Sequence, residues 1–295
     1  MKESTFRSLF NLMRLAVIGV FAGRAWQHLY WDAPYRALLW DERWFGWFVE
    51  GVLGYDWHTW VTSASIDAGF QQFIKGLGVF YLLCVLAAIF IERVPRLARG
   101  ILWVGGFSLV FLAFLYTKEH FFIPAQFFEY SLQFGCPFFF VALYRRQRVG
   151  RGLLNAIKVA TALTFICHGL FALGLYPTPG YFVDMVMRIL GIGEPAAVVF
   201  LRVAGVLDLL LAVLLFLPAH WAIPALAYAV FWGLATTVAR VWAYIDAEAL
   251  TGSLAQWAHE SVMRVPHFII PLFLLLYIWE ASHRAEPPGK PLKEA

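Results

Sequence analysis

Eight stretches of the chain are apolar over lengths that suit a helix crossing roughly 30 Å of hydrocarbon. They lie near 12–31, 70–92, 99–118, 121–144, 154–175, 196–218, 221–246 and 258–280. None alternates apolar and polar residues over the segments of about ten that a membrane barrel needs. The pattern predicts an all-α integral membrane protein with eight transmembrane helices. Pro137, Pro224 and Pro271 fall inside these runs, which helices in lipid tolerate because neighbouring groups satisfy the freed backbone. Two excursions interrupt the series. The first, 31–66, is dense in tryptophan and charge, a composition that favours the headgroup level of a bilayer. In the second, Asp184 and Arg188 stand four apart with apolar residues between them, which predicts a short amphipathic helix.

The runs also repeat. The stretch from Phe73 to Phe90 lies without gaps over that from Phe200 to Leu217, setting Lys75 on Arg202 and Gly78 on Gly205. A second register sets Glu129 on Glu260, Gln133 on Arg264 and Cys136 on His267. Such duplication predicts two tandem four-helix bundles, with a site between them or inside one. The first bundle is expected over 1–144, including the aromatic segment 31–66, and the second over 154–281. A basic linker, 145–153, joins them. A Pro- and charge-rich tail, 282–295, is expected to be disordered.

Composition supports the membrane reading. Hydrophobic residues make up 61% of the 295 and charged residues 14%, against about 25% charge in a soluble domain. Basic residues mark one side. Lys2, Arg7 and Arg14 precede the first run, and Arg93, Arg96 and Arg99 join the second to the third. Arg145, Arg146, Arg148, Arg151 and Lys158 join the fourth to the fifth, and Arg284, Lys290 and Lys293 follow the eighth. Both termini are therefore expected to be cytoplasmic. Leu15 to Tyr30 holds Arg24 and His28 and no small-residue cleavage site, so it reads as a first span and not a signal peptide. Cys84, Cys136 and Cys167 lie inside apolar runs and read as buried thiols. No nucleic-acid module is visible.

Ionisable residues inside a span cost roughly 2.5–3.5 kcal/mol on insertion scales and need a partner or a purpose. Arg24 and His28 share a face of the first run, Lys75 opens the second, and Glu129 lies in the fourth. His168 is on the fifth, Arg202 and Asp208 on the sixth, and Arg240 on the seventh. Glu260, Arg264 and His267 follow spacings of four and three on the eighth, which places them on one helical face. Asp208 is too deep to reach the headgroups, so Arg202, Arg240, Arg264 or a proton is expected to neutralise it. Haem is disfavoured because no run carries two histidines at ligand spacing, and no Glu-x-x-His clusters support a metal site.

The second half resembles the DoxX/DoxD-like superfamily of four-helix membrane proteins. His168-Gly169 matches the His-Gly near the outer end of that family's first helix. Ala204-Gly205-Val206-Leu207-Asp208-Leu209-Leu210-Leu211-Ala212 approximates its Ala-Gly-x-x-Glu-x-x-x-Gly core. Asp208 stands where the family has Glu, Ala212 where it has Gly, and the Lys that usually follows His-Gly is missing. The resemblance implies a bacterial inner (plasma) membrane protein, and some members associate with quinone- or thiol-linked oxidoreductases.

The expected function is binding of a quinone-like or other amphipathic lipid in a polar cavity opening to the outer side, within a redox-associated protein or a subunit of a membrane oxidoreductase. Asp208, Glu260 and His267 are the expected catalytic residues, with Asp208 or Glu260 relaying protons and His267, like Arg202 and Arg264, hydrogen-bonding the head group. Arg24, His28, Lys75, Glu129, His168, Arg202, Arg240 and Arg264 are the expected ligand-binding residues, with membrane lipids and a redox protein or complex subunits as partners. A non-enzymatic scaffold and a transporter of a small solute or lipid are the alternatives. The parallel sense of the two repeats disfavours transport relative to an inverted pair.

Overall fold

The computed structural model describes residues 3–285, with the side chains of the last two left aside. The described residues form helices without strands. Helix α1 spans Glu3–Tyr30. The aromatic segment follows as α2 (Arg36–Leu39), α3 (Glu42–Phe48, continued by a π turn over Val49–Leu53) and α4 (Trp57–Thr62). Two long helices come next, α5 (Ala64–Ile89) and α6 (Pro95–Glu119), then the shorter α7 (Pro124–Phe128) and α8 (Ser131–Arg146). The remainder comprises α9 (Arg151–Leu173), α10 (Gly180–Leu190), α11 (Glu194–Leu214), α12 (Ala219–Tyr244), α13 (Leu250–Met263) and α14 (Pro266–Ala285).

Among the described residues, seven segments are long and apolar enough to cross a membrane: α1, α5, α6, α9, α11, α12 and the α13–α14 stretch Leu250–His283. This is a polytopic membrane protein. The expected run 121–144 is divided between α7 and α8. The run 258–280 is also divided, because Pro266 lacks an N–H and disfavours helical backbone at Val265. The chain there turns through Arg264 and Val265, with Arg264 as the C-cap of α13. Of the expected disordered tail, residues 282–285 are helical, since α14 runs to Ala285. Residues 286–295 lie outside the described residues.

Helix α1 packs most extensively on α5, α9 on α11, and α12 on α14, and α1 also touches α8, α13 and α14. One apolar core runs through both halves, joining Met13, Val17 and Phe21 of α1 to Cys136 and Phe140 of α8, Ile157 of α9 and Phe273 of α14. Glycine sets two of these approaches. A Cβ on Gly205 would lie 2.8 Å from the Gly169 carbonyl oxygen, so α9 and α11 meet backbone to backbone. A Cβ on Gly233 would overlap the His267 carbonyl, which draws α12 onto α14. Away from these seams the helices present large apolar side chains outward, among them Leu83 and Leu86 of α5 and Val203 and Leu210 of α11. Lipid is the solvent such a surface requires.

The aromatic segment is anchored at one end of the bundle. Arg36 bridges Asp32 and Asp67 at 2.7 and 2.6 Å, Lys118 pairs with Asp41, and the Trp60 indole donates to the Leu39 carbonyl at 2.9 Å. Asp41 and Asp56 cap α3 and α4 by accepting from the backbone N–H groups of Arg43 and Thr59. These contacts satisfy the donors that short helices leave open.

A candidate ligand cavity in the second half

A cavity of about 360 Å³ lies among α9, α10, α11, α12 and the α13–α14 turn. Its walls are mostly apolar: Ala172, Met185, Ile189, Phe200, Ala204, Phe231 and Ala239. Its polar groups are Glu129, His168, Asp208, Arg240, Arg264 and His267, with Tyr181 and Thr236 beside them. Apolar walls with a few converging polar groups are the usual make-up of a small-molecule site.

The cations converge on one acid. The Glu260 carboxylate accepts from Arg240 Nε at 2.7 Å and from an Arg264 terminal nitrogen at 3.0 Å, through the same oxygen. The Arg264 guanidinium also donates to the Glu260 carbonyl at 3.2 Å. Arg240 lies over the Tyr181 ring, 4.4 Å from its centre. His267 forms a 3.0 Å hydrogen bond through Nδ1 with the Arg264 carbonyl, and its ring meets that of His168 edge-on at 5.6 Å. The buried Nε2 of His168 has no hydrogen-bond partner. Glu129, 7% exposed, lines the same cavity.

Of the partners expected for Asp208, the three arginines do not pair with it: among the described residues no basic side chain lies within ion-pair distance, and the Tyr228 hydroxyl donates to it at 2.9 Å. It also borders a small chamber of about 10 Å³ lined by Thr164, His168, Trp232, Thr236 and His267.

Four expected binding residues lie elsewhere. Lys75 and Arg202 are exposed on α5 and α11, outside the cavity. Their neighbours Ile74 and Leu201 face inward, and one helical step of 100° turns the charged chains away, where long stems reach the polar boundary. Arg24 is buried in the first half, donating to Gln27 at 2.8 Å, Tyr116 at 3.2 Å and Gln133 at 2.8 Å, with the Tyr116 and Tyr130 rings against it. His28 bonds the Arg24 carbonyl at 2.7 Å and the Tyr35 hydroxyl at 3.0 Å. The cavity thus belongs to the second half, and Glu129 is the expected first-half residue that reaches it. Glu260 also misses the lining and acts through the two arginines it binds. The expected single face of Glu260, Arg264 and His267 is broken by the turn at Pro266, and the turn brings His267 back beside Arg264.

Sequence reasoning missed Tyr181, Tyr228, Phe182 and the latch on α10. Asp184 accepts from Arg188 at 3.0 Å, as its spacing predicts, and also from the Tyr244 hydroxyl at 2.8 Å. This ties α10 to the end of α12 over the cavity. A tyrosine in an apolar run is itself a signal, since its hydroxyl needs a partner when buried.

Residues 162–247 match the model of the DoxX-like family. None of the curated proteins and none of the solved structures gives a match. The DoxX-like segment supplies His168, Asp208, Tyr228 and Arg240, whereas Glu129, Glu260, Arg264 and His267 come from outside it. The site is therefore a DoxX-like framework completed by the α7–α8 junction and the α13–α14 turn.

Proposed function

We propose that the cavity binds an amphipathic ligand, quinone-like or lipid, with its head among His168, Arg240, Arg264 and His267 and its apolar part along Phe200 and Phe231. One observation carries this reading: a largely apolar void of about 360 Å³ ends on buried polar groups, among them His168 Nε2, which has no hydrogen-bond partner. A bound head group would supply what it misses. In a redox-associated membrane protein, Asp208 and His267 are the groups placed to exchange protons with such a head. The scaffold alternative rests on Glu260, which already pairs both arginines.

In this reading α7 and α8 together make the eighth crossing. At 1.5 Å per residue the 16 residues of α8 span about 24 Å, and α7 extends them. Eight crossings return the C-terminus to the cytoplasmic side that the basic loops mark, in a bacterial inner membrane. Two tandem repeats account for the recurring order of helices.

The test is gentle purification followed by mass spectrometry of co-extracted lipids, with a visible spectrum for quinone or haem. Ala204→Trp, which fills the cavity, is expected to remove a stoichiometric ligand while bulk phospholipid remains. A wild-type protein carrying bulk phospholipid alone would overturn the proposal.

A further inference from the structure

We propose that the cavity opens sideways into the bilayer between α11 and α12, and that its occupant is a membrane-dissolved amphiphile whose chain leaves the protein past Phe200 and Phe231. This rests on the ligand-binding reading above and adds the side from which the ligand comes. Each of the two helices turns one face to the cavity and another to lipid. On α12, Ala235 and Ala239 line the cavity, while Leu234 and Val238 point outward. On α11, Leu201 and Ala204 line it, while Val203 and Leu207 point outward. Phe231 and Phe200 stand where these faces meet: both line the cavity, yet they are 69% and 37% exposed. Leu190, at the end of α10, is a third such residue, at 49%. Side chains that are wall and outer surface at once form a rim.

The rim is apolar, and hydrocarbon is the solvent that suits such an opening. Packing leaves room for it. Helices α9 and α11 meet backbone to backbone at Gly169 and Gly205, and Gly233 brings α12 equally close to α14. Across the α11–α12 seam aromatic rings set the approach, with Phe200 and Trp232 5.9 Å apart. The polar end is covered instead. The Tyr181 ring of α10 lies 4.4 Å from the Arg240 guanidinium, and the 2.8 Å bond from Tyr244 to Asp184 ties α10 down. Phe231 precedes Arg240 by nine residues, about 14 Å along α12. A head group held at Arg240 therefore leaves its chain at the rim within that distance, and a longer chain continues in the bilayer. A polar, water-soluble ligand would have to cross α10 or the apolar rim.

Carbene labelling of the full-length protein tests the opening. The protein, freed of co-extracted lipid by detergent exchange, is placed in phosphatidylcholine nanodiscs. It is irradiated with one of two probes, a small aryl diazirine dissolved in the bilayer or photoleucine in the buffer, and peptide mass spectrometry maps the insertions. The bilayer probe is expected to label Val203 and Phe231 on the surface, and also Met185 and Ala172, buried walls of the cavity. Photoleucine is expected to leave those two walls unlabelled. Ala204→Trp is expected to lose the label at Met185 and Ala172 and to keep it at Val203. Wall label from photoleucine at least as strong as that from the bilayer probe overturns the sideways opening, as does surface label without wall label. In either case a stoichiometric co-extracted ligand leaves the ligand-binding reading standing. A co-extracted ligand without a long chain overturns the occupant, and bulk phospholipid alone overturns the ligand-binding reading whatever the labelling. The wild-type pattern decides the opening even if Ala204→Trp fails to fold.

Discussion

Arg240 on α12 and Glu260 on α13 are joined by a 2.7 Å ion pair that ties the DoxX-like segment to the helix beyond it. Arg264 shares the same carboxylate oxygen at 3.0 Å, so one acid serves two buried cations. Removing the acid and removing one cation therefore differ. Glu260→Leu leaves two arginines facing each other and is expected to cost about 3–5 kcal/mol. Arg240→Leu leaves the Arg264–Glu260 pair intact and is expected to cost less. Thermal unfolding of both variants in the same detergent checks the order, and equal losses would sink it.

Tyr228 and Asp208 form a second buried pair, at 2.9 Å. Tyr228→Phe removes the donor and leaves the carboxyl without its partner, an expected loss of about 1–3 kcal/mol. In an Asp208→Leu background the same change is expected to be nearly neutral. A double-mutant cycle on unfolding measures the coupling, and additive effects would show that the hydrogen bond contributes nothing.

The latch on α10 carries a pH prediction. The Tyr244 hydroxyl and then the Arg188 guanidinium hold the Asp184 carboxyl below the usual carboxylate range. A carboxyl depressed in the folded state contributes fully above its unfolded value of about 3.9 and loses that contribution as pH falls through the lower folded value. Protection of 180–190 from hydrogen exchange, corrected for intrinsic rates, is therefore expected to be constant from pH 7 to pH 5. Asp184→Asn and Tyr244→Phe are expected to lower it already at pH 7. A fall between pH 7 and pH 5 in the wild type would contradict this account.

Glycine contacts separate packing from propensity. Gly205→Ala forces a methyl against the Gly169 carbonyl and is expected to destabilise by about 1–3 kcal/mol. Gly252→Ala, in α13 with nothing within 4 Å of the added carbon, is expected to be neutral or to stabilise by up to about 1 kcal/mol. Unfolding midpoints of the two variants, measured side by side, test the contrast.

The order of apolar runs was enough to establish an all-helical membrane protein, because hydrocarbon demands long stretches whose backbone bonds internally. It also singled out the Glu, Asp, His and Arg side chains that line the cavity, since charge is rare in such runs and stands out. The helix over 180–190 was legible because its Asp184–Arg188 spacing reports a single helix face. What the sequence by itself could not decide was which way each charge points and what it meets. Lys75 and Arg202 recur in register, yet both turn outward, because one residue along a helix changes the face by 100°. Glu129 and Arg264 lie far apart in the chain and line one cavity, because Pro266 breaks the last helical stretch and Gly233 lets α12 approach it. Asp208 found a tyrosine and not an arginine. Partners across helices depend on rotation and separation, which contacts throughout the bundle set together, so tertiary structure alone brings these residues to one site.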